Sequence, residues 1–374
     1  MKIAFIGLKG IPAKWGGIEV YVEEIAKRLV QRGHEVTVYC RKWFTENYDT
    51  YAGIRIIKTP TIKTRATDAL LHGFTSSLHA LFKNYDIVHY HGFASYYASI
   101  FLKFSEKKLV VTMHGTAWDL PKWGYFASAV IKGANFLGIN MANLVTTIAP
   151  FLKDFLEKTY HKKVFLTPCG VNIQLKRQPQ TIYEYYGLKG NDYILFMGRL
   201  DSVKRIDWII NAFRMLPCKD NLKLVIAGDI GPSDGLGYKS YLLKLANGDR
   251  RIIFTGFQSD NIKEELLSNC VLFVLPSIVE AMPVVLLEAM SYGRPCLVTN
   301  IPAHQWIISD GENGFLTNKD NFNEFVHKLA MIFKMNHSTL ENLGEKARNT
   351  VKEKFSWDKT VDLFEEIYHK TIME

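Results

Sequence analysis

Apolar runs closed by glycine alternate with patterns of helical period along the whole chain, and this alternation constrains the fold more than any other feature. Lys2 to Ile6 reads as a buried strand and Gly7 to Gly17 as a loop. Val22, Ile25, Ala26, Leu29 and Val30 then recur at helical spacing until Gly33 ends the helix, and Glu35 to Tyr39 follows as a second strand. Further strands are predicted at 87–90, 109–112, 144–147 and 164–167. After the polar, proline-containing segment Pro168 to Asn191 the pattern restarts, at 193–197, 222–227, 252–255, 271–275 and 295–298. Such alternation builds parallel sheets covered by helices. The expected fold class is therefore α/β, with two Rossmann-like, doubly wound domains, 1–168 and 169–355, facing a cleft at the carboxyl ends of their strands. Residues 356–374 place Trp357, Val361, Phe364 and Tyr368 near one helical face, so this helix is expected to dock back on the body toward the N-terminal domain.

Charge is unevenly placed. Residues 1–170 hold 22 Lys/Arg against 12 Asp/Glu, and the remainder 24 against 25. An anionic membrane surface or a phosphorylated acceptor suits the basic half better than nucleic acid, because the basic residues are dispersed and carry no nucleic-acid-binding motif. Lysines beside aromatic residues recur there, in Lys14-Trp15, Arg41-Lys42-Trp43-Phe44 and Pro121-Lys122-Trp123, which suits the headgroup zone of a bilayer. The weakly charged stretch from Tyr125 to Pro150 is interrupted by Lys132, Asn135, Asn140 and Asn143 and falls short of a membrane span. The five scattered cysteines fit a reducing compartment. A cytoplasmic protein, peripheral at the inner face of the membrane, is expected.

Several segments carry chemistry. Gly16 and Gly17 stand just ahead of the first helix, where amides and the helix dipole can meet a phosphate; a plain glycine-rich turn is the alternative. A dehydrogenase is disfavoured, since the loop is not GxGxxG and the second strand ends Tyr39-Cys40-Arg41 with no acidic residue for a ribose. Arg199, at the end of the strand 193–197, and Lys204, at the expected start of the next helix, would hold a diphosphate without a metal. Glu280, in the loop before a helix opened by Pro283, and Glu288, inside it, can accept from sugar and ribose hydroxyls, while the amides of Met282, Pro283 and Val284 face phosphates. Capping by Glu280 and a surface role for Glu288 are the plainer alternatives. His114 follows the strand 109–112 and can hydrogen-bond a transferred sugar or be structural. His89 and His91 alternate along a strand without a third metal ligand, and no Asp-x-Asp occurs to hold a metal–diphosphate. No metal and no other cofactor is expected.

As an ordered set, the Gly16-Gly17 loop, His114-Gly115, Pro168-Cys169-Gly170-Val171-Asn172, Gly198-Arg199-Leu200 with Lys204, the pair Glu280 and Glu288 separated by seven residues, and Phe355-Ser356-Trp357 resemble the retaining glycosyltransferases of family 4, GT4, which have the GT-B fold. The resemblance implies that Arg199 and Lys204 bind the donor diphosphate, that Glu288 contacts ribose, and that Glu280 and His114 lie beside the donor sugar. It also implies front-face retention in which the leaving phosphate helps to deprotonate the acceptor. Cys169, Asn172 and Ala281 depart from residues common in the family. The opening Gly10 to Glu19 is similar to a subgroup with bacterial polysaccharide rhamnosyltransferases, which implies dTDP-rhamnose as donor, with a UDP- or GDP-hexose otherwise, and a lipid-linked saccharide as acceptor. A nucleotide-sugar epimerase of the same fold and a non-catalytic nucleotide-sugar binder are the other readings.

Overall fold

In the computed structural model, residues 1–373 are described apart from 14–15, 47, 65–66, 116–124, 218–220 and 231–236. The chain divides into two compact units, Met1–Gly170 with Trp357–Glu374, and Val171–Ser356.

The N-terminal unit is built on an eight-stranded sheet: β1 (Lys2–Ile6), β2 (Glu35–Arg41), β3 (Thr50–Tyr51), β4 (Ile54–Thr59), β5 (Ile87–His91), β6 (Lys108–Met113), β7 (Leu144–Thr147) and β8 (Val164–Leu166). The order is β3-β4-β2-β1-β5-β6-β7-β8, parallel except where β3 meets β4. The buried runs of β1, β5 and β6 are what a two-sided parallel sheet demands. Its helices are α1 (Gly17–Gln31), α2 (Asp68–Leu81), α3 (Tyr125–Met141) and α4 (Pro150–Tyr160), with a 3-10 segment at Tyr96–Leu102. The strand order reverses between β1 and β5, which makes their carboxyl ends the topological switch point.

The second unit has a six-stranded parallel sheet of β9 (Tyr193–Met197), β10 (Lys223–Ala227), β11 (Ile252–Gly256), β12 (Leu272–Leu275), β13 (Cys296–Thr299) and β14 (Phe315–Thr317), in the order β11-β10-β9-β12-β13-β14. The helices are α5 (Thr181–Tyr186), α6 (Ile206–Met215), α7 (Gly237–Ala246), α8 (Asp260–Asn269), α9 (Val284–Ser291), α10 (Pro302–Gln305), α11 (Phe322–Lys334) and α12 (His337–Lys354). Here the switch point lies between β9 and β12.

The closing helix α13 (Trp357–Met373) packs on α1 of the N-terminal unit. Trp357, Val361, Phe364 and Tyr368 are all buried, as their spacing predicts. Arg28 of α1 and Arg32 just past it pair with Asp358 and Asp362, and Glu365 accepts from Arg32 and His34. Polar contacts set the register of α13 at its rim, while apolar burial supplies the holding force.

Candidate functional site

In the second unit the chain leaves β9 at Gly198, whose amide donates to Ala227 O at 2.9 Å. A Cβ on Gly228 would lie 1.8 Å from Gly198 O, so the ends of β9 and β10 approach too closely for any other residue. This packing delivers Arg199 to the carboxyl end of β9, beside the switch point. Its guanidinium is 43% exposed and pairs with Asp201 at 2.8 Å. Lys204 closes a 3-10 turn (Ser202–Lys204) instead of opening the next helix, which begins at Ile206 after Arg205 takes a left-handed φ of 50°. The Ile278 amide donates to Val203 O at 2.9 Å and ties this turn to the loop after β12.

That tie brings Lys204 to Glu280. The Lys204 ammonium donates to Glu280 Oε1, and Ser277 Oγ donates to the same oxygen at 2.7 Å. Burial pushes the Glu280 carboxyl up, but the Lys204 charge, followed by His304 and the two hydrogen bonds, outweighs it and holds the group below its ordinary value. Glu280 is therefore an anion at neutral pH, only 11% exposed and already compensated. It does not cap α9, whose cap position belongs to Pro283.

Pro283 stands immediately before α9 and has no N–H, so the anion site read over Met282, Pro283 and Val284 loses its middle donor. The leading amides of the helix are those of Val284 and Val285. Glu288, the fifth residue of α9, accepts from Lys263 of α8 at 2.7 Å. Each carboxylate thus has its own lysine.

Buried His304, at the start of the chain after β13, donates Nδ1–H to Thr299 O at 2.7 Å, because a carbonyl can only accept; its Nε2 is then a bare acceptor that meets no hydrogen-bond partner. Burial, opposed by Glu280, brings it down to about 4, so it is neutral near pH 7. Ser277, Lys263 and His304 are absent from the sequence-based candidates. Lys263 and His304 offered no spacing signal, being tied to Glu288 and Glu280 only through folding.

The switch point of the N-terminal unit holds the other candidates. A Cβ on Gly7 would lie 1.7 Å from His91 O, which explains glycine where the chain leaves β1. Gly16, with φ 104°, caps α1, and a Cβ there would lie 2.1 Å from Glu19 Oε2; Glu19 in turn accepts from the Lys9 amide at 3.1 Å. A Cβ on Gly17 would meet no atom of the described residues within 4 Å.

His114 follows β6 and its Nε2 lies 2.9 Å from Nδ1 of His91, the last residue of β5. Burial lowers His114 to about 3 and takes His91 well below its ordinary value, so two neutral imidazoles share one N–H. The Tyr21 ring stands edge-on to His114 at 5.0 Å. His89, on the same face of β5 as His91, instead bonds the Tyr368 hydroxyl and Thr112, each at 2.6 Å. Its task is structural. Among the described residues no group of three or more His, Cys, Asp or Glu is arranged to hold a metal.

The segment Arg41-Lys42-Trp43-Phe44 requires a correction. Arg41 is buried and paired with Asp68, Trp43 Nε1 donates to Asp68 Oδ1 at 3.0 Å, and Phe44 is buried, which leaves only Lys42 exposed. The strand β2 runs through Arg41 and draws these side chains inward. Lys14-Trp15 and Pro121-Lys122-Trp123 lie outside the described residues. No helix among the described residues is long and apolar enough to cross a membrane.

Residues 15–175 match the sequence model of Glycosyltransferase Family 4 and residues 184–350 that of Glycosyl transferases group 1. The chain is 26% identical to the N-acetyl-alpha-D-glucosaminyl L-malate synthase of Bacillus anthracis, over 99% of this chain and 97% of that one. It is 27% identical to the UDP-Gal:alpha-D-GlcNAc-diphosphoundecaprenol alpha-1,3-galactosyltransferase of Escherichia coli, over 78% of each. Among solved structures, the sucrose-phosphate synthase of Thermosynechococcus elongatus superposes with a TM-score of 0.85 at 20% identity, over 99% of this chain and 98% of that one.

Proposed function

The chain belongs to the GT4-type glycosyltransferases of GT-B fold, and from that premise we propose that it moves a hexose from a nucleoside diphosphate sugar, held by the second unit, to a lipid-linked saccharide at the cytoplasmic face of the membrane. The observation that carries the donor-site assignment is the convergence of Arg199, Lys204 and Glu280 at the switch point of the second sheet, with the start of α9 following Glu280.

As the glycosidic bond to the diphosphate lengthens, negative charge grows on the leaving phosphate and positive charge on the sugar carbon. Arg199, Lys204 and the leading amides of α9 answer the first, and the Glu280 carboxylate answers the second. Lys204 then exchanges part of its bond to Glu280 for a phosphate oxygen, and Ser277 keeps Glu280 oriented. Glu288, held by Lys263, is assigned to the ribose hydroxyls. In the N-terminal unit, His114 and the Gly16-Gly17 loop are assigned to the same reaction. These cations replace a metal in the proposal.

The first donor to test is dTDP-rhamnose, on the likeness of Gly10 to Glu19 to the rhamnosyltransferase subgroup. A UDP-hexose comes second, supported by the UDP-Gal in the name of the relative from Escherichia coli. A thermal-shift screen of nucleoside diphosphates and their sugars decides between them: a ligand at a hundred times its dissociation constant stabilises by about 2.7 kcal/mol. No stabilisation by any of them would remove the donor-site assignment.

A further inference from the structure

Helix α2 is built inside out. It turns Asp68, His72, Ser76 and Ser77 inward, where Asp68 bonds Arg41 and Trp43, His72 and Ser76 bond Thr59, and Ser77 bonds Tyr90. A stripe of its apolar residues remains outside, although Leu81 packs against the core: Phe74, Leu78 and, just past the helix, Phe82 recur every fourth residue at 37%, 42% and 78% exposure. A helix on a soluble α/β domain ordinarily does the reverse.

The surface continues beyond α2. The 3-10 segment Tyr96–Leu102 packs against both α2 and α3, Phe101 meets Phe74 edge to face at 5.3 Å, and Phe104 follows at 97% exposure. On α3, Phe136 and Leu137 are exposed as well. Apart from buried Asp68, these three segments contain no carboxylate; Lys132 on α3, and Lys83 and Lys103 just past α2 and the 3-10 segment, are exposed, against the flanking carboxylates Asp86 and Glu106.

We propose that this face seats the N-terminal unit on an anionic lipid bilayer, with the phenylalanines entering the interfacial zone and the three lysines meeting the headgroups. A second copy bound through the same face would set lysine against lysine, whereas an anionic bilayer complements them. The inference rests on the membrane reading given above and places the contact on α2, the 3-10 segment and α3, not at Lys42.

Flotation with phosphatidylglycerol and with phosphatidylcholine vesicles tests it on the full chain. Wild type is expected to float with the anionic vesicles at low salt and not with the neutral ones. The substitutions Phe82→Ser with Phe104→Ser, at side chains already exposed, are expected to lower partitioning about tenfold, as are Lys83→Glu with Lys132→Glu. Lys42→Glu is expected to keep it. Unfolding temperatures equal to wild type show that the variants fold. Wild type that floats equally with all variants overturns this face while sparing the membrane reading, and wild type that never floats overturns both. Flotation that persists in the phenylalanine variant, with loss of a dimer on size exclusion, assigns the face to a second copy instead.

Discussion

Arg199 and Lys204 stand within six residues of each other yet are held differently, one by Asp201 at the surface and the other by a nearly enclosed Glu280. Arg199→Ala is therefore expected to weaken binding of a nucleoside diphosphate much more than that of the bare nucleoside, by about 1.5–3 kcal/mol for a charge-assisted contact; calorimetric titration of both ligands checks this. Lys204 and Glu280 form one unit, and a double-mutant cycle with Lys204→Ala and Glu280→Gln is expected to show coupling of roughly 0.5–3 kcal/mol in unfolding free energy. Because the folded-state carboxyl of Glu280 is lowered, its stabilising contribution is complete above the ordinary glutamate value and is lost as pH falls through the lowered one. The gap in unfolding temperature between wild type and Glu280→Gln is thus expected to stay constant above about pH 4.5 and to narrow in more acid solution. The positions of Arg199 and Glu280 were legible in the sequence because strand ends are legible. Lys263 and His304 were not, since the ties to Glu288 and Glu280 exist only once α8, α9 and the end of β13 are assembled.

Strands that are buried runs were read from the sequence to within two residues, as β1, β5, β7 and β9 illustrate. The strands β3, β4 and β14 were missed: two are three residues or fewer, and β4 mixes Arg55 and Lys58 into a half-buried pattern that resembles loop. The α1 entry illustrates how loop chemistry fixes an element. Gly16 holds a left-handed φ with the Glu19 carboxylate where a Cβ would stand, so Gly16→Ala is expected to cost about 1–3 kcal/mol, whereas Gly17→Ala, whose Cβ meets no atom of the described residues within 4 Å, is expected to leave stability nearly unchanged. Chemical denaturation distinguishes the two. If Gly17→Ala spares folding and still lowers turnover, the first turn of α1 serves ligand and not packing. Helix α2 could not be assigned a face from its sequence, because the face that packs inward is its polar one.

At the scale of the whole molecule, two sheets of different strand order use the same device: each reverses direction beside its first strand and collects candidate residues at that point, His91 and His114 in one, Arg199 and Glu280 in the other. The alternation of strand, glycine and helix predicted both sheets, and the ordered motifs pointed to glycosyl transfer. The identity of the donor does not follow from them, because Arg199 and Lys204 answer the diphosphate that candidate donors share. This constellation is proposed to transfer sugar from a nucleoside diphosphate without a metal. The most direct measurement offers labelled dTDP-rhamnose, UDP-hexoses and GDP-hexoses separately, with extracted membrane lipids and EDTA, and follows both nucleoside diphosphate release and label on lipid. The expected result is matched release and labelling with one donor, abolished or severely reduced by Arg199→Ala and Glu280→Gln. Turnover that requires added Mg²⁺ or Mn²⁺, that converts the sugar without transferring it, or that is unchanged in both variants would contradict the account.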